Sequence, residues 1–241
     1  MSDLPARSAA ATPRAVVTVA FCPCPPVLIP EVAAGAEDES ADLRRACRDA
    51  LEGMLASRPE VVLVVGDGVP PDVRFGPGDA GDLRGFGVDL VVPFSGRARP
   101  GGRRLPLAHT VGAWLLDQAG HGGARLGVGP ADLGAALAFL PGPVGILAMG
   151  DGSARRTAKA PGYLDPAAEP FDAAVAAALS SGDPAALAAL DPAAGERLLA
   201  AGTATWRAVG AALRGRQPIA RLHHDAAPYG VGYLVADWHV P

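Results

Sequence analysis

Five short runs made mostly of apolar residues constrain the fold of this chain most. They are Ala15–Phe21, Val61–Gly66, Val88–Phe94, Ala124–Val128 and Val144–Met149, and most are rich in valine, isoleucine or leucine. A strand with one solvated face alternates apolar and polar residues, whereas an uninterrupted run is typical of a strand covered on both faces. The runs therefore predict a mostly parallel central sheet.

Helical patterns separate these runs. The segment 39–58 places a set of apolar residues on one helical face: Leu43, Ala46, Ala50, Leu51, Met54 and Leu55. The segment 105–120 ends in Gly120, a residue suited to the end of a helix. The alternation of strand and helix predicts an α/β fold with helices on both faces of the sheet.

The last third of the chain is different in composition. Residues 166–216 are rich in alanine and contain three segments that each begin with Asp-Pro, which suits a helix start. We expect these helices to cover the sheet, although a homodimer contact on the same face stays open. Ala227–Trp238 reads as a final strand. We expect a single domain over residues 14–241, after a disordered leader at 1–13.

Composition excludes several classes of protein. The chain has 25 acids against 21 bases and a net charge of −4. We interpret the bases as scattered along the chain. Nucleic acid and anionic membranes both require clustered bases, so neither is expected as a partner. Three cysteines are too few for a disulfide framework, and the N-terminus lacks the apolar core of a signal peptide. A cytoplasmic protein is predicted.

Two aspartates follow two of the predicted strands. Asp67 lies in Val65-Gly66-Asp67-Gly68, and Asp151 in Met149-Gly150-Asp151-Gly152-Ser153. They could share one crevice as acid and base or as cation ligands, or each could bind backbone N–H groups of its own turn. The proline- and glycine-rich segment after Gly68 cannot open a helix, which disfavours a dinucleotide site. Ser153 lacks the flanking pattern of a hydrolase nucleophile.

Cysteines and histidines supply the other candidate ligands. Cys22 and Cys24 face the same way if the backbone is extended, so they form either a chelating pair or part of a rigid turn. Cys47 occupies an apolar helical position and is predicted to lie in the core. His223 and His224 precede Asp225. On a regular strand the two imidazoles point to opposite faces, so at most one joins a given site.

Three segments together resemble one family. Pro23-Cys24-Pro25-Pro26…Pro30-Glu31-Val32, Gly150–Val175 and Ala227–Ala236 are similar to motifs in the catalytic chain of the class III extradiol ring-cleavage dioxygenases, a superfamily of LigB-like and Memo-like proteins. The segments lie near the start, after the middle and at the end of the chain. The resemblance thus covers nearly all of it and implies the fold of an extradiol dioxygenase catalytic chain.

The same resemblance implies a ferrous iron held by two histidines and a glutamate, with a further histidine as acid/base. This chain departs from that pattern at four places. Cys24 and Asp67-Gly68-Val69 stand where histidine ligands are expected, Ala154 stands at the acid/base histidine, and Ala226 at the acid. We therefore expect neither metal nor cofactor, and loss of ring cleavage.

Two functions follow as expectations. The first is a crevice that binds a small molecule and is lined by Pro26, Glu31, Asp67, Ser153 and Tyr229, with Asp151 and His224 as candidate acid/base groups. The alternative is a metal-dependent oxidoreductase with a rebuilt Fe²⁺ or Zn²⁺ site. Its ligands would be Cys24, Asp67 and Asp151 with His223 or His224, and Asp225 is a further candidate.

Overall fold

Nine strands and eight α-helices lie within residues 17–35 and 40–241, which a computed structural model describes. The predicted leader lies outside the described residues. The strands are β1 (Val17–Cys22), β2 (Val61–Val65), β3 (Arg74–Phe75), β4 (Ala80–Asp82), β5 (Val91–Pro93), β6 (Ala124–Val128), β7 (Val144–Met149), β8 (Ile219–Ala226) and β9 (Tyr233–Val240). The helices are α1 (Pro30–Ala33), α2 (Ala41–Leu55), α3 (Leu107–Gln118), α4 (Leu133–Ala138), α5 (Ala168–Ser181), α6 (Pro184–Ala188), α7 (Pro192–Arg197) and α8 (Thr203–Ala212).

Seven strands form the main sheet, in the order β3-β6-β2-β7-β1-β9-β8. The four central strands β6, β2, β7 and β1 are parallel, and they correspond to four of the five apolar runs. β3 on one side and β9 and β8 on the other are antiparallel to their neighbours. The prediction of a parallel sheet of buried strands is confirmed for the centre, and the sheet becomes antiparallel towards both edges.

Helices cover both faces of this sheet, as predicted. On one face α2 and α3 bury Leu43, Leu51, Met54, Val111 and Leu116 against β1, β2 and β7. On the other face α4, α5, α6 and α8 bury Leu133, Leu179, Leu187, Trp206 and Val209. The alanine-rich helices therefore cover the sheet. Among the described residues, no helix combines the length and apolar character that a membrane crossing requires.

The prediction that Val88–Phe94 forms a strand of the central sheet is wrong. Only Val91–Pro93 is a strand, and it pairs antiparallel with β4 in a separate two-stranded sheet outside the main one. Val91 is exposed, so this strand is not covered on both faces. Its β-branched residues favour extended backbone, but the small sheet supplies only one packed side.

Two boundaries near the C-terminus also differ from the prediction. The third Asp-Pro segment forms two helices, α7 and α8, separated by residues 198–202, where Leu199 adopts a left-handed backbone with φ of 55°. The final strand begins only at Tyr233, because residues 227–232 form a turn between β8 and β9. The hairpin partner β8 mixes polar and apolar residues and gives no apolar run.

Candidate functional site

The three segments that carry the family resemblance meet at the carboxyl edge of the parallel strands. The backbone N–H of Cys24, after β1, donates to Asp151 Oδ1, after β7, at 2.7 Å. Gly152 N–H donates to Gly232 O at 2.7 Å, and Gly232 N–H donates to Ser153 O at 2.9 Å. Segments distant in sequence thus form one hydrogen-bonded unit, at the edge where open α/β sheets bind ligands.

Asp151 is the central carboxylate of this unit. Burial raises its pKa to about 6, and the negative charge of Asp67 adds to the rise. The hydrogen bond from the Cys24 N–H favours the charged form but does not outweigh burial. Among the described residues, the groups that shift the pKa of Asp151 include no cation. A carboxyl group with this pKa can accept or donate a proton near neutral pH.

Cys24 lies beside Asp151 and is almost fully buried. Burial raises the pKa of its thiol well above the usual range, and the charges of Asp151 and Asp67 raise it further. Cys22 has a different partner, Cys47 in the core. The hydrogen bond between these two thiols raises the pKa of Cys22. Both thiols lie on the α2 side of the sheet, and they have different neighbours. Cys47 is fully buried, as predicted.

Tyr233 forms the apolar side of the site and was not identified from sequence. Its side chain is buried, and burial raises the pKa of the phenol, with further contributions from Asp151, Tyr229 and Cys24. Tyr229 packs against it edge to face, with ring centroids 6.5 Å apart, and is partly exposed. Tyr229 was predicted to line the same crevice as Asp67, but it lines a separate cavity of about 430 Å³ with Thr157, Lys159 and Pro228.

Asp67 lies at the mouth of a cavity of about 270 Å³. The other lining residues come from α7, α8 and the loop between them, and include Glu196, Thr203 and Arg207. That loop is attached to Asp151, since the N–H of Gly202 donates to the Asp151 carbonyl at 2.8 Å. Burial raises the pKa of Asp67, although the residue is exposed towards solvent. The backbone of Asp151 thus contacts the loop that lines this cavity, and the charge of Asp67 raises the pKa of the Asp151 carboxyl.

Ser153 is buried behind this crevice, where its N–H donates to Asp172 Oδ1 at 2.8 Å. Asp172, on α5, also accepts from the Arg156 guanidinium at 3.2 Å. Burial raises the pKa of Asp172 even so. Asp172 thus fixes the segment that follows β7 through the Ser153 backbone and the Arg156 side chain. The sequence pointed to Asp172 only through the segment Gly150–Val175, one of the three that carry the family resemblance.

A β-bulge decides where His223 and His224 point. The register of β8 against β9 shifts between Leu222 and His224, so His223 is an extra residue in its strand. His223 Nε2 bonds Asp237 Oδ1 at 2.5 Å, on the side of α2. His224 lies opposite Val235, which belongs to the core on that same side. The prediction of opposite faces is wrong because the bulge reverses the alternation.

Neither histidine joins the crevice. His223 lines a separate cleft of about 540 Å³ between α2 and the strands β8 and β9. Burial lowers the pKa of His224, and the opposing effect of the charges of Asp225 and Asp42 does not outweigh it. The predicted grouping of Asp151 with His224 as acid and base is therefore not assembled, and Asp151 stands with Cys24 and Asp67.

The remaining candidates lie apart. Pro26 begins a short 3₁₀ turn, and Glu31 is an exposed residue of α1. Asp225 is exposed and lies opposite Leu234, on the face away from α2. His109, predicted to lie in a helix, is fully buried in α3, and its Nε2 lies 3.1 Å from the carbonyl oxygen of Val128. Burial lowers the pKa of His109 to about 4.

The donors at the crevice do not fit a ferrous iron. Such a site uses imidazole nitrogens and a carboxylate. Here the crevice offers a thiol held in its neutral form and Asp151, one of whose oxygens already binds the Cys24 N–H. Within residues 17–35 and 40–241, no three His, Cys, Asp or Glu side chains stand close enough to hold a metal ion together.

No protein-family model and no curated protein matches this sequence.

Proposed function

We propose that this protein binds a small molecule at the carboxyl edge of its parallel strands. We further propose that its fold derives from the class III extradiol dioxygenases and that the protein no longer cleaves aromatic rings. One observation carries the proposal. The three segments that resemble the family meet in a single hydrogen-bonded unit through the Cys24–Asp151 and Gly152–Gly232 bonds. This supports a common origin of the edge, and the residues now found there have different chemistry.

The crevice suits recognition of a polar ligand. Asp151 and Asp67 provide two carboxylates, and the buried ring of Tyr233 lies close enough to Asp151 for that charge to raise the pKa of its phenol. A pocket lined by aromatic groups with a few fixed polar atoms is typical of small-molecule sites. The cavity lined by Asp67 and residues of α7 and α8 has a volume of about 270 Å³, which favours a small metabolite. Because Asp151 has a pKa of about 6, we expect ligand binding to depend on pH around that value.

Elemental analysis separates this proposal from ring cleavage. The protein is purified without a metal-affinity tag from cells supplied with iron and zinc, and oxygen uptake is measured with catechols. We expect no iron-dependent uptake. Stoichiometric iron together with oxygen consumption would overturn the proposal. One metal per chain that disappears in Cys24→Ala would instead support a rebuilt metal site.

A ligand screen tests binding directly. A library of metabolites is followed by ligand-observed NMR, and each hit is repeated on Asp151→Asn and on His223→Gln. The second variant is the matched control, because His223 lines a different cleft. We expect hits to weaken only in Asp151→Asn. Hits that are indifferent to Asp151 but lost in His223→Gln would place the binding site elsewhere.

A further inference from the structure

A second cavity, different in character from the first, is surrounded by arginines. It has a volume of about 230 Å³ and lies on the small sheet formed by β4 and β5. Its charged lining residues are Asp82, Arg84, Arg99, Arg103 and Arg104. Four arginines against one aspartate give this cavity a strong positive charge, although the chain as a whole carries −4.

The loop that carries three of these arginines is held firmly against β4. Ala80 N–H donates to Arg103 O at 3.1 Å, and Leu105 N–H donates to Ala80 O at 3.0 Å. Ala80 therefore bridges Arg104 in parallel, as if a third short strand were added to the sheet. The arginines extend from an ordered backbone, which lowers the entropy lost when they bind a ligand.

Asp79 and two glycines fix the same loop. The buried Asp79 accepts from Arg103 N–H at 2.7 Å and from Gly76 N–H at 2.9 Å, so its carboxylate binds the backbone of the loop. A Cβ atom on Gly102 would lie 2.1 Å from the Gly78 carbonyl oxygen. Gly78 itself has a φ of 103°. Glycine is thus needed for the loop to approach this closely.

Acidic partners leave much of the positive charge available. Arg84 pairs with Asp89 at 2.9 Å, and Arg104 pairs with Asp82 at 3.4 Å. Asp82 is mostly buried, and the other three side chains are largely exposed. Exposed pairs of this kind are weak and can exchange partners. Among the described residues, Arg99 and Arg103 form no ion pair within 4 Å, although one Arg103 nitrogen donates to the Arg74 carbonyl.

We propose that this cavity binds the phosphate group of a small molecule, through Arg99 and Arg103 with Arg84 and Arg104 at its rim. Guanidinium groups bind phosphate oxygens in pairs of parallel hydrogen bonds, so several arginines around one concavity favour a multiply charged oxyanion. The compact shape favours a small ligand over a nucleic acid strand, which needs an extended basic groove with stacking surfaces. Among the described lining residues, exposed Val91 is the only large apolar side chain.

Calorimetric titration of the full chain with pyrophosphate tests this site. We expect binding that weakens by at least about tenfold in the double variant Arg99→Gln/Arg103→Gln, because two charge-assisted contacts are lost. The double variant Arg99→Lys/Arg103→Lys keeps the positive charge without the paired hydrogen bonds of a guanidinium group. Its affinity for pyrophosphate should lie between those of the unaltered protein and the glutamine variant. The matched control, Arg45→Gln/Arg214→Gln, removes the same charge from exposed positions elsewhere and should bind like the unaltered protein.

Three results would overturn the proposal. They are no binding at millimolar pyrophosphate, equal weakening in the control, and affinity for single-stranded RNA that exceeds that for pyrophosphate and grows with strand length. The last would identify an extended nucleic-acid surface. The arginines are exposed and pack no core, so thermal unfolding should show that every variant folds.

Discussion

Asp151 Oδ1 accepts the backbone N–H of Cys24 at 2.7 Å, and this bond joins residues 127 positions apart in the chain. It connects the exits of two adjacent parallel strands, β1 and β7. The acceptor is a carboxylate in a buried place, where its charge is costly. The same residue therefore fixes the site's geometry and gives it a group that titrates near neutral pH.

Asp151→Asn should stabilise the protein at pH 7. The folded pKa of about 6 exceeds the ordinary 3.8, so the stability that protonation gives is fully present below 3.8 and lost as pH rises through 6. The cost at pH 7 is at most about 3 kcal/mol. Asparagine keeps an acceptor for the Cys24 N–H without the charge. Urea unfolding at pH 4 and pH 7 should show the gain only at pH 7, and a loss at both would contradict this account.

His109→Gln should remove an opposite dependence on pH. The folded pKa of about 4 lies below the ordinary 6.5, so the unfolded chain binds a proton that the folded chain does not. Stability is then lost as pH falls from 6.5 to 4, by up to about 3 kcal/mol. Glutamine can still donate to the Val128 carbonyl. Unfolding measured across this range should be flatter for the variant, and an unchanged slope would rule out His109 as its source.

Gly150→Ala should be strongly destabilising. A Cβ atom there would lie 2.3 Å from the backbone of Gly202, in the loop between α7 and α8 that lines the crevice. The backbone must move apart, at a cost of about 1–3 kcal/mol. Gly134→Ala is the matched control, because a Cβ atom in α4 meets nothing within 4 Å. Thermal unfolding should show a large loss for the first variant alone.

Asp172→Ala and Glu169→Ala should differ sharply, although both remove an acid that contacts Arg156. Asp172 is buried and also accepts the Ser153 N–H, so its loss leaves that buried donor without its acceptor and leaves Arg156, which is partly buried, only its exposed partner Glu169. We expect a loss of about 3 kcal/mol or more. Glu169 is exposed and 3.5 Å from the same guanidinium, so its loss should cost under about 0.5 kcal/mol. Similar losses in urea unfolding would contradict a structural role specific to Asp172.

The sequence determined the central sheet and its helices. Val61–Val65, Ala124–Val128 and Val144–Met149 were predicted almost to the residue, because a strand buried on both faces needs an unbroken apolar run. The position of Asp67 and Asp151 at strand exits, and the buried state of Cys47, followed from the same local patterns. These features depend on residues close together in the chain, where periodicity is informative.

Tertiary structure decided which of the candidate residues meet. The bulge in β8 turned His223 and His224 to one face, because a single extra residue reverses the alternation of a strand. Tyr233 reached the site through the pairing of β9 with β1, and Asp172 through the bond from α5 to Ser153 after β7. Arg99, Arg103 and Arg104 are close together in the sequence, but only the fold brings Arg84 to the same cavity. Long-range packing, which no local pattern encodes, sets each of these contacts.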